Sequence, residues 1–401
     1  MRMVLTAAVF ILLSIPLKLG AQRVGRDRIS VEAKGYAGYL FDNRVELDSH
    51  LYGSADIAVG FTPSRMDTDA YAKAYGYPTC GLGMCVSFLS DIEVPGESYF
   101  GNYYSAYGFF RRNLLEARNL TAGYMIEIGP AFNPVRYDPV FNPDNIYVSS
   151  FLMVHAAAGA YVRYRFLENW EIGLAVRAKH HSNGRSALPN YGQNMIEGGL
   201  SLAYLFGAED ADADEVMQDE KPSFDKGFQY HMTISGGAHC TRSDWQRYNL
   251  LVPDSSDKQD IFKAYPRFAF SADVMYRYAL KCSTGISLDA FVVPDIKTLE
   301  KNDRFLYGDK AVDEGPGYFP VFFGISLVQE FYYRNLALHM ALGFYPVDPR
   351  LGLSGDVSWN YQKAGLRYYI PAWNDMFIGM AVKANDFSES EMVEFSIGIR
   401  L

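Results

Sequence analysis

EIGLAVRAKHHSNGRSALPNYGQNMIEGGLSLAYLF, residues 171–206, decides how the rest of the chain is read. Its spacing predicts two antiparallel strands around a polar loop. In the first, Ile172, Leu174, Val176, Ala178, His180 and Ser182 share one face, and Glu171, Arg177, Lys179 and His181 share the other. An apolar stripe therefore runs into a histidine and a serine at the strand end, backed by a charged stripe. In the second strand Asn194, Ile196, Leu200, Leu202 and Tyr204 form the apolar face, and Glu197 falls opposite with the charged residues. In a soluble sheet the apolar face would be the core, an odd place for a His–x–Ser pair. In a membrane barrel that face meets lipid and the charged face meets the lumen. His180, Ser182 and Asn194 would then lie on the lipid side near the membrane–water boundary.

Composition agrees with a barrel. Aromatics make up 15% of residues, with 30 Tyr, 27 Phe and 35 Gly. That load suits short amphipathic strands with aromatic girdles; an all-β soluble sandwich is the competing class. Residues 1–21, MRMVLTAAVFILLSIPLKLGA, read as a secretory signal: Arg2, an apolar run, then small residues. No later apolar run approaches the ~18 residues of a spanning helix. The formal net charge of −9, without a basic cluster, argues against nucleic acid as a partner. Cys80, Cys85, Cys240 and Cys282 are too sparse for a disulfide framework and read as ordinary strand residues.

Alternating runs before residue 207 fall at 29–41, 51–62, 79–91, 98–113, 118–132, 150–166, 170–183 and 194–206. Residues 66–77 read as either a turn of helix or a long loop. The acidic stretch 207–227 reads as a solvated linker. Asp210, Asp212 and Asp214 have the step of a calcium loop, but Glu215 stands where its glycine is needed. Residues 228–401 give runs at 228–242, 265–280, 281–294, 318–334, 335–347, 357–370, 375–387 and 391–401. This half repeats the first. GLAVRAKHHSN (173–183) aligns with GMAVKANDFSE (379–389), and NMIEGGLSLAYL (194–205) with EMVEFSIGIRL (391–401). The expected fold is therefore an all-β transmembrane antiparallel barrel of about sixteen strands in two homologous eight-strand halves, 22–206 and 228–401. A single closed barrel is preferred over two tandem barrels, because it removes the edges in one closure.

At the end of the first half, His180 and Ser182 are same-face neighbours roughly 6–7 Å apart at Cα, a gap an imidazole can bridge. A base beside a hydroxyl, with the turn N–H groups of Asn183-Gly184 nearby, is the pattern of a serine esterase. Parity makes His180 the candidate base and leaves His181 in the lumen, so the two histidines do not share a metal. No metal or cofactor is expected.

The motif H-x-S-N, here His180-His181-Ser182-Asn183, followed by P-N-x-G at Pro189-Asn190-Tyr191-Gly192, resembles the lipid A 3-O-deacylase family of outer-membrane esterases. The resemblance is strongest over the last two strands of the first half. Larger two-halved relatives, labelled acyloxyacyl hydrolases, resemble the full length. The resemblance implies His180 as base, Ser182 as nucleophile and Asn183 in the oxyanion hole. It also implies an outward-facing site, lipid A (lipopolysaccharide) as substrate, and the bacterial outer membrane as location after signal cleavage. The family's third residue is a glutamate two positions after the motif glycine. Here that position is Asn194, which can orient a histidine but cannot stabilise an imidazolium by charge. In the second half Asp386 replaces the histidine, Ser388 keeps the serine and Glu389 replaces the asparagine, so that half is expected to be inert. The reading from a different class is a non-catalytic barrel, a pore or scaffold with a remnant motif. A phospholipid esterase is a further alternative.

Overall fold

The computed structural model describes residues 27–41, 47, 50–65, 68–90, 92, 94, 98–207, 224–252, 257–259, 261–347, 352–354, 357–373, 375–387 and 389–401. The signal segment, most of the acidic linker including Asp210, Asp212 and Asp214, and Ser388 lie outside the described residues.

The first half forms β1 (Arg28–Phe41), β2 (Leu51–Thr62), β3 (Thr79–Phe88), β4 (Tyr103–Ala117), β5 (Leu120–Phe132), β6 (Leu152–Leu167), β7 (Trp170–Ser182) and β8 (Gln193–Phe206). The second forms β9 (Gly227–Cys240), β10 (Ala264–Ala279), β11 (Cys282–Val292), β12 (Val321–Tyr333), β13 (Leu336–Phe344), β14 (Asn360–Ile370), β15 (Met376–Asn385) and β16 (Glu389–Arg400). Each predicted run overlaps the strand of the same rank. Helix α1 (Ala70–Tyr75) occupies the uncertain 66–77 region; Asp69 caps it, accepting from the N–H groups of Tyr71 (2.7 Å) and Ala72 (2.9 Å). Helices α2 (Arg242–Trp245, continued by a wider turn through Leu250), α3 (Ile296–Tyr307) and α4 (Asp309–Asp313) lie in the β9–β10 and β11–β12 connections. No alternating pattern announced these three. No described helix is long and apolar enough to cross a membrane, which says nothing about crossing by strands.

Each half closes on itself. β8 pairs with β1 from Ile29↔Phe206 to Phe41↔Asn194, and β16 pairs with β9. The result is two closed eight-stranded antiparallel barrels. The preferred single barrel of sixteen strands is thus not the arrangement formed; the tandem alternative is. The edge argument applies equally to it: once β1 satisfies β8, neither half keeps an open edge for the other. Eight strands leave a lumen that side chains can fill, and here they do.

The faces follow the parity read from sequence. Leu174 and Leu200 are 62% and 66% exposed on the outer wall, while Arg177, Lys179, His181 and Glu197 are buried inside. Arg177 meets Asp56 (2.7 Å), Glu127 (2.8 Å) and Glu197 (2.6 Å), so its guanidinium faces three carboxylates. Lys179 pairs with the other oxygen of Glu197 and donates to Ser87 at 2.7 Å. Paired in this way, charges tolerate burial that would be prohibitive singly. His181 stacks on Tyr103 and meets His155 at 3.0 Å, so its direct partner is a histidine rather than Glu197. The cysteines are free, as their spacing suggests.

The barrels touch at both ends. At one end α1 meets the β10–β11 and β12–β13 turns. There Arg334 Nε donates to Asp69 (2.7 Å), Arg277 to the Tyr71 hydroxyl (2.7 Å) and Lys281 to the Ala74 carbonyl (2.7 Å). Tyr333 packs edge-on against Tyr75 and Phe110. At the other end the loop after β7 meets the end of β9 and the start of β16.

Candidate active site

The alternation of β7 carries through to Ser182, and β8 takes up the pairing at Gln193, so residues 183–192 form the connecting loop. His180 pairs across the strands with Asn194. Both continue the outward stripe; Asn194 is exposed and His180 half-buried. The cross-strand pair is a hydrogen bond: His180 Nδ1 lies 2.8 Å from Asn194 Oδ1. An amide oxygen can only accept, so Nδ1 carries the proton and Nε2 keeps its lone pair. That is the tautomer a general base needs, with the base nitrogen on the side away from its orienting partner.

Ser182 lies one outward position further along and is 6% exposed. Its hydroxyl accepts from the Gly184 N–H at 3.3 Å. A His180–Ser182 hydrogen bond is not among those formed by the described residues. One residue ties the pair together. Gly192 has φ +66°, and a Cβ there would lie 2.9 Å from His180 Cε1 and 3.2 Å from Ser182 Cβ. Its backbone therefore lies directly against both side chains. Only glycine combines that left-handed conformation with that clearance.

Asn183 shapes the turn. Its side-chain amide donates to Ser149 Oγ and the Ala187 carbonyl (3.2 Å each), and its Oδ1 accepts from the Arg185 N–H at 2.9 Å. Its own backbone N–H goes to Asn190 Oδ1 at 3.2 Å. With these donors engaged, the N–H directed at the Ser182 oxygen is that of Gly184. The Asn-Gly dipeptide flags the turn in the sequence. Asn190, which helps hold it, belongs to the P-N-x-G motif; Ser149, which also holds it, carries no comparable signal.

Glu197 stays inside, engaged with Arg177 and Lys179, because the β7–β8 register runs without a slip or bulge. It does not stand in for the missing carboxylate. Among the described residues, no group of His, Cys, Asp and Glu converges to hold a metal ion.

The equivalent place in the second barrel is built differently. Asp386 and Phe387 adopt φ +50° and +58° in the β15–β16 turn, where β7 continues as a strand. Glu391, aligned with Asn194, sits at a break in the register between Lys383↔Met392 and Ala384↔Ser390. The bulge turns its side chain inward to Lys383 and Arg267. A carboxylate is thus present in the second repeat but faces the lumen.

Residues 228–401 match the family model described as acyloxyacyl hydrolase, C-terminal domain. The second barrel is thus similar to the C-terminal domain of acyloxyacyl hydrolases. The matched half is the one that lacks the motif histidine; His180 and Ser182 lie in the other. No curated protein matches the chain. Solved structures similar to it include a de novo designed transmembrane β-barrel (16% identity, TM-score 0.20, covering 47% of this chain and 100% of that one). A mutant of the Rh. blastica porin has 9% identity and a TM-score of 0.17, covering 94% of this chain and 100% of that one. The β domain of the Bordetella autotransporter BrkA has 8% identity and a TM-score of 0.26, covering 93% and 98%. At such scores the barrels are defined by their own strand pairings.

Proposed function

We propose that the first barrel is an outer-membrane serine esterase that removes an ester-linked acyl chain from lipid A. The observation that carries this reading is the His180 Nδ1–Asn194 Oδ1 hydrogen bond at 2.8 Å, on the outward apolar wall and one position from Ser182. It fixes the imidazole in the base tautomer beside a hydroxyl, at the rim of a surface that faces lipid. The similarity of the second barrel to the acyloxyacyl hydrolase C-terminal domain supports hydrolase chemistry on acylated lipid.

In the proposed reaction Ser182 Oγ attacks the acyl carbonyl carbon while His180 Nε2 takes the hydroxyl proton. Negative charge gathers on the former carbonyl oxygen, and the donor we assign to it is the Gly184 N–H, which lies 3.3 Å from Ser182 Oγ in the turn that Asn183 organises. Collapse breaks the ester C–O bond, and the sugar alkoxide leaves with the proton from His180. Water then attacks the acyl-serine with His180 again as base, releasing the fatty acid and restoring Ser182. Asn194 keeps the ring oriented through both steps.

The non-catalytic reading draws on Asn194 standing where the family has glutamate. The 2.8 Å bond weighs against it, since the orienting function survives the change. Its wide-pore form also loses its basis, because the barrels close at eight strands and Arg177 and its partners fill the first lumen. Ester release by the purified full chain, wild type against Ser182→Ala, tests the proposal; equal rates would defeat it.

A further inference from the structure

We propose that the second barrel is a positioning element of the first barrel's site: Val393, Cys240 and Glu389 clamp the turn that carries the oxyanion donor. This rests on the esterase reading above. The nucleophile's turn is not free-standing. A Cβ at Gly184 would lie 2.3 Å from Val393 Cγ2 and 3.1 Å from the Val393 backbone nitrogen, so the second barrel is packed against the Gly184 backbone. One residue on, the Cys240 N–H donates to the Arg185 carbonyl at 2.9 Å. Cys240 Sγ lies 3.1 Å from the Ser186 carbonyl oxygen. Glu389 Oε2 is 4.0 Å from Arg185 Nη1, and its other oxygen is 2.8 Å from Arg242. Three consecutive loop residues, 184–186, are thus each held by β9 or β16.

The clamped backbone is the one whose N–H points at Ser182 Oγ. An oxyanion donor acts only if preorganised where charge develops. A loop in water would supply this poorly; a loop pinned to a second closed barrel supplies it well. The α1 junction at the far end of the barrels prevents them from rocking about a single contact. Glu389 fits the same account. It aligns with Asn183 of the first repeat, and rather than shaping a turn of its own site it braces the loop of its neighbour's. On this account the repeat without a base is kept because it builds the other repeat's site.

The test is a double-mutant cycle on the full chain in lipopolysaccharide–detergent micelles, reading fatty-acid release, with heat-dependent gel migration to confirm closed barrels. Val393→Ala removes the methyls that press on Gly184. It is expected to lower kcat between about tenfold and a hundredfold, the scale of a small misplacement, with KM held within about twofold. Val393→Ile should keep wild-type kcat. Gly184→Ala should lose more. Combined with Val393→Ala it should be no worse than alone, because the missing methyls make room for the added one. Multiplicative losses, an unchanged kcat, or a faster Val393→Ala enzyme would overturn the clamp. If Val393→Ala does not fold, Cys240→Ala carries the test: a lower kcat at constant KM is expected, and an unchanged kcat overturns it. Ser182→Ala runs alongside. If it matches wild type, the esterase reading fails and takes the clamp with it. If wild type alone is active and the cycle is multiplicative, only the clamp fails.

Discussion

Replacing Asn194 should change the rate in both directions according to what is put there. Asn194 touches the site through one interaction, the 2.8 Å hydrogen bond to His180 Nδ1. A neutral hydrogen bond contributes about 0.5–1.5 kcal/mol and one to a charged partner about 1.5–3 kcal/mol. His180 is neutral before attack and cationic afterwards, so a carboxylate would favour the transition state over the ground state by about 1–1.5 kcal/mol more than the amide. At 1.36 kcal/mol per tenfold, Asn194→Glu should raise kcat roughly five- to tenfold. Asn194→Leu removes the acceptor. The lost bond costs about fivefold, and the ring is then free to swing off Ser182, for a total of roughly ten- to a hundredfold. Initial rates on lipopolysaccharide micelles at saturating substrate measure both. A Leu variant with wild-type kcat would refute the orienting role, whatever the glutamate does.

Gly192→Ala places a methyl 2.9 Å from His180 Cε1 at φ +66°, a strain of about 1–2 kcal/mol. Activity should be lost almost completely while the barrel still shows heat-dependent gel migration. Arg177→Met leaves Asp56, Glu127 and Glu197 facing one another without their shared cation. A loss of about 3–5 kcal/mol is expected, read as a lower urea midpoint for unfolding from micelles. At the α1 junction, burial alone would raise the Asp69 carboxyl, but the Ala72 N–H, the Arg334 guanidinium and the Tyr71 N–H together hold it below its ordinary 3.8. Such a group stabilises the fold above its unfolded value and ceases to as pH falls through its folded one. Wild type should therefore melt above Asp69→Asn at neutral pH, with the gap closing only below about pH 4. A gap independent of pH would exclude the ionised carboxylate as its source.

Much of this was legible in the chain because a strand's period of two leaves no freedom. Once Leu174 and Val176 are outward, His180 and Ser182 must be outward, and Arg177 and Glu197 inward. What alternation does not encode is which strand meets which at the ends of a repeat. Phe206 pairing with Ile29 rather than with a β9 residue is a contact between distant parts of the chain, and nothing local to either residue marks it. The same limit hid the Gly184–Val393 contact, which joins the two repeats. The inward turn of Glu391 was hidden for another reason. A single bulged residue between Met392 and Ser390 reverses the face that simple parity assigns. The helices over the second barrel, such as Ile296–Tyr307, lie between strands where a period-two reading has nothing to register.

In the proposed reaction, Ser182 of the first barrel cleaves an acyl ester of lipid A. Mass spectrometry of lipid A from cells expressing the wild type or Ser182→Ala tests it most directly. Loss of the mass of one hydroxyacyl chain with the wild type, and none with Ser182→Ala, is the predicted result. Identical spectra from two proteins that both reach the membrane folded would contradict the claim.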